Sequence, residues 1–162
     1  MIARKHGFTL IEMVVGMVVL AISLVMLSTL MFPQAERAAQ GIYQARAAQA
    51  GQVVMGELMA RQFDSATPSG GGAVAGLNCT KVTPGTDPTQ WLFLEDFNGY
   101  RGSVDDLLGS SSYDRYRVAI DVGCNTAAVG ATAWSGGAKV VTITISAPDG
   151  SPYPYQLVRG NY

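Results

Sequence analysis

The chain has 162 residues, 48% of them hydrophobic and 14% charged, with a formal net charge of −1. That length accommodates one anchor helix and one small globular domain. So small a charge leaves no broad basic surface of the kind a dedicated nucleic-acid binder needs, and no nucleic-acid partner is expected.

Residues 1–7 read Met-Ile-Ala-Arg-Lys-His-Gly, short and basic. From Phe8 to Met31 the chain is apolar apart from one charge, Glu12. About 20 apolar residues suffice for a membrane-spanning helix, so residues 8–32 are expected to form one. The basic flank places the N-terminus in the cytoplasm and the rest outside. The run is longer than a secretory h-region, and no small-x-small site clearly closes it. A plain signal anchor would not carry Glu12. A carboxylate within the span costs on the order of 2.5–3.5 kcal/mol and normally has a partner. No basic residue follows it in the span, so the partner is expected on another molecule or at a chain terminus.

Pro33 follows the apolar run, as a candidate bend or break, and Gly16 is a second weak point. Residues 33–63 are rich in alanine, glutamine, methionine and arginine. Tyr43, Ala47, Ala50, Val54 and Leu58 fall at helical spacing and form one stripe. This segment reads as the amphipathic half of the N-terminal helix, ending near Phe63, with its stripe against a sheet. Its many small residues permit close helix–helix approach.

Residues 64–162 read as a globular sheet domain. Residues 64–89 are loop-like, with Ser69-Gly70-Gly71-Gly72, Pro84 and Pro88. Strand signals follow at Gln90–Phe97, containing Trp91, Phe93 and Leu94. They recur at 115–122, where Tyr116, Val118, Ile120 and Val122 fall on one face with Arg115, Arg117 and Asp121 among those on the other, and at 139–146, where Val141, Ile143 and Ile145 alternate with Thr142, Thr144 and Ser146. Asp149-Gly150 makes a turn, and Tyr153–Arg159 returns as a last strand. One apolar face per strand predicts an α+β protein with an antiparallel sheet of about four strands, covered on one side by the helix.

The two cysteines, Cys79 and Cys124, both lie on the outer side of the span. An exported domain with an even cysteine count favours a disulfide, worth about 3–4 kcal/mol for a loop of this size. Glu95, Asp96 and Asn98, with Asp105 and Asp106 nearby, form the one acidic cluster. Oxygen ligands beside a glycine turn can hold calcium, but the spacing matches no EF-hand, and a solvated turn after a strand is the more ordinary explanation of the segment. No other cofactor is indicated. No enzyme site is apparent: the single histidine, His6, lies in the N-terminal segment, and Gly70-Gly71-Gly72 lacks the lysine of a P-loop. Arg101, Arg115 and Arg117 suggest a small positive patch or ordinary ion pairs with neighbouring aspartates.

The stretch Gly7-Phe8-Thr9-Leu10-Ile11-Glu12, followed by Met13-Val14-Val15, resembles the class III signal of type IV prepilins and type II secretion pseudopilins. The resemblance implies cleavage between Gly7 and Phe8 by a prepilin peptidase and N-methylation of Phe8. It also implies pairing of Glu12 with the terminal amine of a neighbouring subunit during assembly. Cleavage would remove Arg4 and Lys5, leaving nine basic and twelve acidic side chains, a charge of −3. Over the N-terminal stretch and the following helix the chain is most similar to minor prepilins of the mannose-sensitive haemagglutinin pilus. The implied fold is pilin-like. The implied partners are other major and minor pilins, the peptidase and the inner-membrane assembly platform. The implied locations are the inner membrane before assembly and the extracellular pilus after it. The function expected is that of a structural subunit placed near the tip or in initiation, supporting attachment. The alternatives are a type II secretion pseudopilin and a membrane-anchored periplasmic adhesin, to which Trp134, Tyr153 and Tyr155 offer the only hints.

Overall fold

The computed structural model describes residue 7 and residues 9–125 and 137–161, the side chains of residues 32–36 excepted. Its elements in chain order are a helix α1 (Leu10–Ala60), two 3₁₀ turns (Pro88–Gln90 and Leu94–Phe97), β1 (Tyr100–Ser103), a short helix α2 (Val104–Leu108), β2 (Arg117–Asn125), β3 (Ala138–Ser146) and β4 (Pro152–Gly160). They fall into two compact units, one up to Ile42 and one from Tyr43 onward. The first unit is the N-terminal part of α1. Pro33 does not end the helix.

In the second unit the sheet is an antiparallel meander in the order β1-β2-β3-β4. This is the α+β architecture expected, and it is consistent with the pilin fold. Its register puts the apolar residues in rows. Val118 lies opposite Ile145 and Ile145 opposite Tyr153; Ile120 opposite Ile143 and Ile143 opposite Tyr155; Val122 opposite Val141 and Val141 opposite Leu157. Because strand side chains alternate in direction, each row falls on one face. The helical stripe covers that face: Ala47, Ala50, Val54 and Leu58 are completely buried in the same core, with Tyr43 partly buried beside them. Each buried Val, Leu or Ile adds roughly 1.5–3 kcal/mol of transfer free energy, so this face is the main source of the unit's stability. The alanines set how closely the helix backbone approaches. Gly51 takes this furthest, since a Cβ there would lie 2.7 Å from the Tyr155 ring.

The strand expected at Gln90–Phe97 is not formed. Two 3₁₀ turns stand there instead, and the first strand is Tyr100–Ser103. The burial pattern explains the difference. Trp91, Leu94 and Phe97 are buried at a spacing of three, the 3₁₀ repeat, and the Trp91 ring meets Phe97 and Tyr100 edge-on. The Asp96 carboxylate holds the turn, accepting from the N–H groups of Phe93 (3.0 Å) and Leu92 (3.3 Å). The second strand begins at Arg117 rather than Arg115, because Arg115 has a left-handed φ of 74°. The long helix stops at Ala60 instead of Phe63: Gln62 leaves it to pair with Leu92 and Leu94 through its backbone N–H and C=O. Arg159 Nη1 then donates to the Arg61 carbonyl (2.7 Å), satisfying one of the last carbonyls of the helix end.

Between Ala60 and Pro88 the chain is loop, as composition suggested, and it is fastened by side chains. Asn161 is buried and pairs with the Val74 backbone in both directions at 2.8 Å, as a strand neighbour would. Cys79 and Cys124 form a disulfide, with Cα atoms 5.8 Å apart, joining this loop to β2.

Candidate functional site

Thr9 precedes the first residue of α1, and Glu12 lies in its first turn. The Thr9 N–H and hydroxyl each donate to Glu12 Oε2 at 2.9 Å, while the Glu12 N–H donates to Thr9 Oγ1 at 3.3 Å. This is a capping box: two otherwise orphaned donors at the helix start are satisfied reciprocally. The carboxylate also stands where the helix dipole favours negative charge. The signal was readable, since Thr9-Leu10-Ile11-Glu12 is the T-x-x-E pattern. Glu12 therefore has a local hydrogen-bonding function as well as being the lone charge of the apolar run. Gly7 is exposed, with open space where a Cβ would lie. Phe8, the expected methylation site, lies outside the described residues, as does Trp134.

Leu10–Met31 is a 22-residue stretch long and apolar enough to cross a membrane, and none of it is buried within the chain. A core helix of a soluble protein would be covered by its own domain. Here Leu10, Ile11, Met17, Val25 and Met31 are all exposed by more than 60%. Such a surface needs lipid or the equivalent helices of other molecules around it.

The acidic cluster proves to be structural. Asp96 is fully buried and accepts from Val82 N (2.8 Å), Thr83 N (2.7 Å), the Thr83 hydroxyl and the two N–H groups of its own turn. Burial pushes its carboxyl up, but the Thr83, Val82 and Phe93 donors outweigh that and hold it below the ordinary aspartate value. Glu95 is fully buried against Lys139 (2.6 Å) and the Ser65 N–H (2.8 Å). Asn98 accepts from Val122 N and donates to the Cys79 carbonyl, beside the disulfide. The candidate calcium ligands Glu95, Asp96 and Asn98 thus hold three different parts of the chain rather than converging on one point. Among the described residues no group of three His, Cys, Asp or Glu side chains is placed to hold a metal. Arg101 makes the ordinary ion pair, with both Asp121 oxygens at 2.7 and 2.8 Å. Tyr153 and Tyr155 pack against the core, which accounts for these aromatics without a ligand.

One cluster was not anticipated. Asp64, Glu95 and Lys139 are all fully buried, with Lys139 Nζ between the two carboxylates. No sequence signal joins them, because they come from the loop after α1, a 3₁₀ turn and β3.

Residues 2–28 match the family model of the prokaryotic N-terminal methylation motif, which spans Gly7, Phe8 and Glu12. No curated protein and no solved structure matches the chain. Such a motif implies processing by a prepilin peptidase and assembly with other pilins, and with the apolar helix it fits anchoring in the inner membrane beforehand. The chain carries a prepilin-type methylation motif on a long helix and a four-stranded antiparallel sheet, which supports a place in the type IV pilin-like family.

Proposed function

We propose that this chain is a structural minor pilin, resembling the group that includes the MshD protein of the mannose-sensitive haemagglutinin pilus, and that it enters the filament near its tip or at initiation and supports attachment. The observation that carries the reading is the prepilin-type motif at the head of a helix whose apolar surface is wholly uncovered. Cleavage between Gly7 and Phe8 leaves that helix on the protein, unlike removal of an ordinary signal. The freed and methylated amine of Phe8 is the positive partner Glu12 lacks. Pairing across subunits then offsets the cost of a carboxylate at membrane depth. The Thr9 cap holds Oε2 at the N-terminal end of the apolar stretch, which supports the reading that a neighbour's amine meets it there.

The same motif heads pseudopilins, so the test reads both processing and destination. Gly7→Val should leave the precursor uncut in the inner membrane and absent from sheared surface filaments, while the unaltered chain is found there by mass spectrometry. Normal processing of Gly7→Val would overturn the reading. Recovery of the unaltered chain only from a secretion pseudopilus would keep the subunit role and reassign the filament.

A further inference from the structure

We propose that Lys139 and Asp64 become joined by an intramolecular isopeptide bond in the folded chain, with Glu95 as the proton carrier. The observation is the buried triad. Lys139 Nζ lies 2.9 Å from Asp64 Oδ2 and 2.6 Å from Glu95 Oε2, and all three side chains have no solvent exposure. The Phe63 ring lies 5.2 Å from the same nitrogen.

The two carboxylates are not equivalent. Asp64 receives backbone N–H groups on both oxygens, Ala66 N on Oδ1 at 2.9 Å and Asn78 N on Oδ2 at 2.8 Å. Those donors are placed where negative charge grows when the carboxyl carbon is attacked. Glu95 has the Ser65 N–H on Oε1, and its Oε2 makes the shortest contact to the lysine. Asp64 is therefore the acceptor and Glu95 the base.

The step balances within the chain. Lys139 passes one proton to Asp64 Oδ2, giving a neutral amine and a neutral carboxyl, and the amine attacks Asp64 Cγ while Glu95 takes a second proton from the nitrogen. The Nζ–Cγ bond forms and one Cγ–O bond breaks. Two of the three ammonium protons leave with that oxygen as water, the second relayed by Glu95, which ends as the carboxylate it began as. The third stays on the amide nitrogen. Nothing is oxidised or reduced, and no outside reagent is needed. Positioned groups of this kind reach effective concentrations of roughly 10⁵–10⁸ M. Condensation removes the Lys139 and Asp64 charges together, and the Glu95 carboxylate keeps the Ser65 N–H as its donor. Exclusion of water protects the product. The bond would fasten the start of the loop after α1 to β3, and it does not depend on which filament the chain enters.

The test is the intact mass of the full-length chain, produced in a host without prepilin peptidase, purified in detergent, then reduced and unfolded. The expected result is a chain lighter than its sequence by one water, about 18 Da, with tandem mass spectrometry of the digest finding Lys139 linked to Asp64. Lys139→Arg and Glu95→Gln chains should have their full sequence masses. A wild-type chain at full mass overturns the proposal. So does a water loss mapped elsewhere, such as a succinimide at Asp149-Gly150. Because the wild-type chain decides the matter, a variant that fails to fold does not obscure the answer.

Discussion

Asp96 shows how much one side chain can organise. It is fully buried, and its two oxygens take four backbone N–H groups and a hydroxyl from the segments 82–83 and 92–93. Removing it would deprive those partly buried donors of their shared acceptor, and a hydrogen bond to a charged group contributes about 1.5–3 kcal/mol. Asp96→Ala should therefore lose about 3 kcal/mol or more in denaturant unfolding, and Asp96→Asn should also destabilise, because an amide nitrogen cannot accept. Its carboxyl is held below the ordinary value: burial raises it, but the Thr83, Val82 and Phe93 donors outweigh that. A depressed carboxyl stabilises the fold while the unfolded group is ionised. The contribution is complete above about pH 5 and is lost as the pH falls below about 4, through the unfolded aspartate value and on to the folded one. Thermal melts should be level from neutral pH to about pH 5 and drop steeply below about pH 4. A melting temperature unchanged at about pH 3 would contradict this.

At the scale of elements, two glycines of α1 have opposite roles. Gly51 faces the sheet, where a Cβ would come within 2.7 Å of Tyr155 Cε2 and 2.8 Å of Cζ. Gly56 has open space at the same position. Gly51→Ala should cost about 1–3 kcal/mol by forcing the tyrosine from its row. Gly56→Ala should gain about 0.5–1 kcal/mol from helix propensity alone. Circular-dichroism melts of the pair distinguish helix–sheet packing from intrinsic preference. The β4 edge accommodates Pro152 and Pro154, which lack the N–H groups that would invite another strand. The 3₁₀ turns show where periodicity misled. Trp91, Phe93 and Leu94 are strand-forming residues, but the carboxylate of Asp96 captures the local N–H groups that a sheet ladder would have used.

At the scale of the molecule, the unit from Tyr43 onward holds its long loop by anchors rather than by regular structure. The disulfide spans 45 positions and attaches the loop to β2, with Asn98 bridging the same two segments. Reduction should lower stability by about 3–4 kcal/mol, read as a shift in the denaturant midpoint. The buried polar groups at Asp64, Glu95, Lys139 and Asn161 serve the same end elsewhere. The N-terminal apolar stretch is stabilised by none of these.

The sequence alone determined what depends on near neighbours. Helical spacing put Ala47, Ala50, Val54 and Leu58 on one face; alternation did the same for Val118, Ile120 and Val122 and for Val141, Ile143 and Ile145. The stretch Gly7 to Glu12, by its resemblance to prepilin signals, marked the prepilin-type segment. Each is a repeat or a spacing of a few residues, and the physics that uses it is equally short-ranged. Cysteine count and compartment anticipated the Cys79–Cys124 bond. Only the tertiary structure decided the functions of Glu95 and Asp96, and only it brought Asp64 and Lys139 together. Their partners come from distant segments, and burial, which makes such contacts strong, exists only once the helix has closed over the sheet.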